Sequence, residues 1–271
     1  MVDILFFGDV VGRSGRQAVR SYLAGLANGQ YNDPLPDVVI ANGENATHGF
    51  GLSEGHYQEL LQAGVHIITG GNHIWDRRET VHYIGNAPYL LRPANMPSSM
   101  PGVGAQVFHL NGHTVGVINL MGQVFMGTNT TPPWQALEAC LPHLKKETPV
   151  IVVDFHAEAS AEKVSLGHYA SQLGVSAFVG THTHVQTADE QILNSRTGYL
   201  TDAGFNGAHH SVIGMGIEES LVRLKSLVPQ RLEVAEGGPL QVNGVRFRIN
   251  SQTGQCSSVQ RVNHLLTPSP S

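Results

Sequence analysis

One pattern constrains this chain more than any other, and it recurs five times. A short, largely apolar run stops at glycine or a polar residue, and a side chain able to bind metal follows at once. Residues 4–7 give way to Gly8-Asp9, residues 38–41 to Asn42-Gly43-Glu44-Asn45, and residues 66–69 to Gly70-Gly71-Asn72-His73. Further on, residues 150–153 meet Asp154-Phe155-His156, and residues 175–179 end in Gly180-Thr181-His182-Thr183-His184. Runs of this length and composition read as strands buried on both faces. In α/β sheets, ligands bind beyond the carboxyl ends of such strands. One such ending is an ordinary turn or helix cap; five together point to a site.

The intervening segments carry helical periodicity. Ala18, Val19, Tyr22, Leu23 and Leu26 share one face of a helix over residues 16–26. Ser53 caps a helix through Ala63 that stops at Gly64, and Asp76 with Glu79 reads as a capping box opening the next helix. A hairpin over residues 107–120 turns at Asn111-Gly112, and helices are expected over 132–144 and 161–173. From Ala188 the character becomes antiparallel strand, with a second Asn-Gly turn at Asn243-Gly244 and one helix near residues 218–227. With no repeat and no linker, the expectation is one domain over residues 1–265 with a frayed tail at 266–271. The fold class is α/β, a mixed β-sandwich flanked by helices.

The donors suit one chemistry. Fifteen histidines in a chain with only 14% charged residues justify a search for metal ligands, and two distant cysteines, Cys140 and Cys256, exclude a thiolate site. Asp9, Glu44, Asn45, Asn72, His156, His182 and His184 supply oxygen and imidazole donors suited to Mn, Fe, Zn, Ni or Co. Seven are too many for one tetrahedral ion and suit two ions with open positions. Two such ions roughly 3.5–4 Å apart share a water and clamp the oxygens of a phosphoryl group. Read as strand, His182-Thr183-His184 points both rings to one face. A net charge of −5 and the lack of a basic, aromatic-interleaved stripe argue against long nucleic acid as a partner. No basic leader and no membrane-length apolar run are found, so a cytoplasmic protein is expected.

These blocks resemble the calcineurin-like metallophosphoesterases. Gly71-Asn72-His73, the lone His156 and Gly180-Thr181-His182-Thr183-His184 match that superfamily, whereas Val11 stands where a histidine is expected and Gly43-Glu44-Asn45 replaces an aspartate block. Together with Gly8-Asp9-Val10-Val11-Gly12, Asn42-Gly43-Glu44-Asn45 and Asp154-Phe155-His156-Ala157-Glu158-Ala159, the departures resemble the YmdB-like branch, bacterial phosphodiesterases associated with cyclic nucleotides. The likeness runs from Asp3 to about Leu265. It implies a four-layer metallophosphoesterase sandwich and two divalent or trivalent ions, Fe or Mn, with Zn admitted.

On that resemblance, Asp9, Glu44, Asn45 and His184 surround one ion, and Glu44, Asn72, His156 and His182 the other, with Glu44 bridging. A metal-bridging hydroxide attacks phosphorus, and His73 protonates the leaving oxygen as general acid. Asp76 or a nearby backbone carbonyl orients His73, and Asp76 serves equally well as a helix cap. The expected substrate is a small phosphate ester, foremost a 2′,3′-cyclic nucleotide. Two other readings stay open: a phosphomonoesterase for small phosphate esters, and a regulator that senses a nucleotide without turning it over. Homo-oligomer formation and the roles of His209, His210 and the loop over residues 122–133 are left undecided.

Overall fold

Two β-sheets pack face to face in a computed structural model that describes residues 1–127, 129–226 and 231–267. The first sheet contains β1 (Val2–Phe7), β2 (Asp9–Val10), β3 (Val38–Asn42), β4 (Ile67–Thr69) and β5 (Leu90–Leu91). The second contains β6 (Ala105–Leu110), β7 (His113–Met121), β8 (Ile151–His156), β9 (Ala177–Thr181), β10 (Gln191–Leu193) and β11 (Thr197–Leu200), in the order β10-β11-β9-β8-β7-β6. Three later strands, β12 (Phe205–Ala208), β13 (Leu240–Ile249) and β14 (Cys256–Leu266), return to the first sheet. There the order is β2-β12-β13-β1-β3-β4-β5, with β14 paired to β13.

Alternation along each strand builds the layers. On β1, Ile4 and Phe6 join the core between the sheets, where they meet Val117, Val152, Val179 and Phe247. Leu5 and Phe7 face the other way, toward Ala18, Tyr22 and Leu60 of the helices α1 (Gly12–Ala27) and α2 (Glu54–Gln62). On β8, Val152 points inward while Ile151, Val153 and Phe155 pack against Leu137, Leu141, Leu166 and Ala170. The latter belong to α4 (Pro133–Leu144) and α5 (Ser160–Gln172). The result is a four-layer α/β sandwich, and it explains why these strands are apolar on both faces. β1, β3 and β4 run parallel, as do β7, β8 and β9, so their carboxyl ends gather at common edges.

Several expectations need correction. Asn243-Gly244 is not a turn but the middle of β13, paired with Phe7 of β1 and with Val262 and Asn263 of β14. Gly244 is needed there because a Cβ would sit 2.4 Å from the Phe6 carbonyl oxygen. The chain reverses instead over residues 250–255, where Asn250 N–H donates to Gln255 O and Gly254 takes φ +71°. Asp76 and Glu79 form no capping box. The short α3 (Thr80–Tyr83) follows Glu79, whose side chain makes no cap bond, and Asp76 turns to His73. The late strands are not all antiparallel, since β11 runs parallel to β9 and β12 parallel to β2. The late helix is α6 (Ile217–Ser226), so Leu227 lies outside the described residues, as do tail residues 268–271.

Candidate metal centre

Six of the seven expected donors, Asp9, Glu44, Asn72, His156, His182 and His184, come together where the carboxyl ends of the two sheets meet, and Asn45 follows Glu44 in the chain. His156, fully buried at the end of β8, is the hub. Its Nε2 lies 3.0 Å from Glu44 Oε1, 3.0 Å from Asn72 Oδ1 and 3.1 Å from His182 Nδ1. One imidazole N–H cannot serve three acceptors at once, so hydrogen bonds alone do not account for this convergence. Ligand atoms of Glu44, His156 and His182 all fall within 4.8 Å of one another, a spacing that fits a shared cation. Nearby, Asp9 Oδ1 lies 3.8 Å from His184 Nε2. Asp9 Oδ1 and Asn45 Oδ1 are both buried, and neither has a hydrogen-bond partner among the described residues. Orphaned buried oxygens of this kind call for an explanation, and a cation supplies one.

Each histidine has its far nitrogen tied down, which selects the nitrogen that faces the cluster. Thr181 donates its hydroxyl proton to Asp154 Oδ1 (2.8 Å), so it receives the His156 Nδ1 proton at 2.9 Å. His182 Nε2 lies 3.2 Å from Glu158 Oε2, leaving Nδ1 toward His156. His184 Nδ1–H donates to the Ile213 carbonyl at 2.9 Å, leaving Nε2 toward Asp9. Three rings from two segments thus present a lone pair inward.

The charges agree. Asp9, Glu44 and Asp154 are buried together. Burial, only partly offset by His156, pushes Asp9 well above the usual carboxylate range, and neighbouring Asp202, Glu44 and Asp154 add to the rise. Burial likewise lifts Asp154 to about 6. Glu44 goes the other way: burial opposes ionisation, but His156 and the His73 amide outweigh it and bring Glu44 to about 2. For His156, burial favours the neutral ring, yet Glu44 and Asp9 raise it to about 9. Burial and the neighbouring His156 lower His182 to about 3, so its ring is neutral at physiological pH. Burial works against the charged forms of Asp9 and Asp154, and divalent cations bound among these carboxylates would offset that cost.

His182 and His184 do not lie on a strand as expected. β9 stops at Thr181, and both histidines take left-handed backbone, at φ 101° and 64°. Carboxylates, not a neighbouring strand, hold the segment: Asp9 Oδ2 accepts His182 N–H, and Asp202 Oδ2 accepts the amide and hydroxyl of Thr183. Such residues cost about 1–3 kcal/mol each and persist only where the surroundings impose them. His73 stands apart from the ligand cluster. Its amide donates to Glu44 Oε2 (2.8 Å), and its Nδ1 lies 2.8 Å from Asp76 Oδ2. His209 and His210 are exposed, ring against ring, with His209 beside Gln241.

The supporting residues escaped the sequence reading. Asp154 and Asn42 stand at the ends of apolar runs, which is a usable signal: Asn42 Nδ2 donates to Asp154 Oδ2 (3.2 Å) and Asn42 Oδ1 accepts the Glu44 amide. Thr181, Glu158 and the Ile213 carbonyl carry no comparable mark.

A two-sheet, helix-flanked sandwich with these donors at its strand ends defines the metallophosphoesterase-like fold class, which implies divalent metal ions. The YmdB-like protein family matches residues 5–262, and the chain belongs to that family. A Bacillus subtilis (strain 168) protein named 2',3'-cyclic-nucleotide 2'-phosphodiesterase is 44% identical over 259 residues, covering 96% of each chain. Among solved structures, a hypothetical protein from Thermus thermophilus superposes with TM-score 0.88 at 33% identity, over 98% of this chain and 100% of that one. A Mycoplasma pneumoniae structure described as a novel phosphatase superposes with TM-score 0.87 at 34% identity, over 98% and 94%. No helix among the described residues is long and apolar enough to cross a membrane.

Proposed function

We propose that this protein is a dinuclear metal-dependent phosphodiesterase that opens 2′,3′-cyclic nucleotides by breaking the bond to the 2′ oxygen. The observation that carries the reading is the inward convergence of Glu44, His156 and His182 with the His73–Asp76 pair beside it. A binding module needs the first of these and has no use for the second. The Bacillus subtilis relative's name supports the cyclic substrate.

Glu44, Asn72, His156 and His182 would hold one ion, and Asp9, Asn45, Glu44 and His184 the other, with Fe or Mn the first choice for this donor set. Ions bound there would acidify a water and offset the charge that builds on the phosphoryl oxygens. The chain's own residues do the rest. Asp76 accepts the Nδ1 proton of His73 and orients the ring, and in the imidazolium form Nε2 carries the proton to be given away. As water oxygen bonds to phosphorus and the P–O2′ bond breaks, that proton passes to O2′. The product is a nucleoside 3′-monophosphate. The amide bond from His73 to Glu44 Oε2 keeps the acid in register with the metal-binding carboxylate.

The test is a side-by-side assay of 2′,3′-cyclic, 3′,5′-cyclic and linear phosphate esters, with metal content measured in the same preparation. The expected result is conversion of the 2′,3′-cyclic substrate to the 3′-monophosphate. No turnover of any cyclic nucleotide by metal-replete protein overturns the diesterase reading, and turnover confined to monoesters favours the phosphatase activity named for the Mycoplasma relative.

A further inference from the structure

A second, cationic cleft of about 790 Å³ opens beside the metal centre. Arg13, Arg77, Arg223 and Arg231 line it, together with Glu233 and Glu236. Four arginines against two glutamates make it locally cationic in a chain whose net charge is −5. Arg13, Arg223 and Arg231 are exposed and form no ion pair among the described residues. Arg77 is fixed in place, with Nε donating to Phe50 O and Nη2 to Thr47 O, and its remaining N–H groups are left for other acceptors. Unpaired guanidinium groups from separate segments, gathered around a concavity of nucleotide size, are the arrangement that binds phosphate.

The cleft shares a wall with the catalytic centre. Phe50 lines it and packs its ring edge-on against His73, centroids 5.0 Å apart. One residue earlier, Gly49 O accepts the Asn45 side-chain amide, and the buried Asn45 oxygen has no partner among the described residues. His48 and Gly49 take φ 54° and 86°, so this tight turn brings cleft and metal cluster to its two sides. A ligand whose reacting phosphate lies beside His73 therefore borders, across the Phe50 ring, the arginine-lined cleft.

We infer that the arginine cleft binds a second phosphate, carried on the 5′ side of the nucleoside whose cyclic phosphate occupies the metal centre. The inference rests on the proposed phosphodiesterase function. With the 2′ and 3′ oxygens committed to the ring, the 5′ oxygen is where a nucleotide carries another phosphate. That phosphate is either a free 5′-monoester or the diester that links the terminal residue of a short RNA fragment to its neighbour. The cleft thus assigns to the enzyme RNA ends, or 5′-phosphorylated nucleotides, that bear a 2′,3′-cyclic phosphate. It makes no claim on long nucleic acid, which the overall negative charge disfavours.

The experiment compares kcat/KM of the metal-replete enzyme for adenosine 2′,3′-cyclic phosphate, its 5′-phosphorylated form, and the adenosine dinucleotide ending in a 2′,3′-cyclic phosphate. At least one of the two larger substrates should exceed the simple one by about tenfold, and which one does so identifies the source of the second phosphate. That preference should fall at least fivefold in Arg13→Ala and in Arg223→Ala, both exposed positions. A parallel calorimetric titration compares adenosine 3′,5′-bisphosphate with adenosine 3′-monophosphate. The bisphosphate should bind about tenfold more tightly, and the margin should shrink in the same variants. Equal kcat/KM for all three substrates together with equal affinity for the two monomers overturns the inference. Loss of all turnover with the binding margin intact would instead overturn the catalytic reading and leave the cleft assignment standing.

Discussion

At the scale of single residues, the site depends on which nitrogen of each histidine faces inward. Thr181, Glu158 and the Ile213 carbonyl settle this for His156, His182 and His184. None of the three is adjacent in sequence to the ring it orients, so the expectation of ligands was legible and the reason for their orientation was not. His73 differs in being paired to Asp76 and 30% exposed, which suits the proposed general acid. His73→Ala should lower kcat by about 10²–10⁴ on substrates with poor leaving groups, with metal content unchanged. Steady-state kinetics and elemental analysis on one preparation check both halves. Loss of metal in that variant would make His73 a ligand instead. Asp76 was readable from sequence either as a cap or as an orienting partner, and only its distance to His73 separates the two.

At the scale of elements, strand ends place the donors and glycines admit them. A Cβ on Gly71 would lie 2.3 Å from Glu44 Oε2 and 2.4 Å from His156 Cδ2, inside the cluster itself. Gly71→Ala should therefore strip metal from the protein. Gly55→Ala, in α2 with open space around the new methyl, should leave metal content intact and add about 0.5–1 kcal/mol of stability. Metal retention by Gly71→Ala would show that the cluster can relax around the methyl. The two Asn-Gly pairs explain why elements were only partly legible. Asn111-Gly112 turns a hairpin with φ 50° and 79°, whereas Asn243-Gly244 runs through β13 because Phe6 approaches from the next strand. The dipeptide is the same. What differs is a partner more than 200 residues away in sequence, and no local signal reports it.

At the scale of the whole molecule, the centre belongs to neither sheet alone. Asp9, Glu44, Asn45 and Asn72 follow strands of the first sheet, and His156, His182 and His184 come from the second. The apolar core between the sheets, from Ile4 to Phe247, therefore holds the two halves of the proposed ligand set at their separation. The four-layer architecture was legible because strands buried on both faces must be covered on both faces. The buried Lys163–Asp202 ion pair, at 2.6 Å, was not, since nothing local marks a lysine of the covering helix α5 whose Asp202 partner also braces the Thr183 segment. Glu44 joins the halves, touching His156 with one oxygen and the His73 amide with the other. The most direct test of a dinuclear centre built on Glu44 is the metal-to-protein ratio of protein purified without chelators, alongside Glu44→Ala. The account predicts two ions per chain in the wild type and fewer than one in the variant. A wild type with a single ion, or a variant that keeps both, would contradict it.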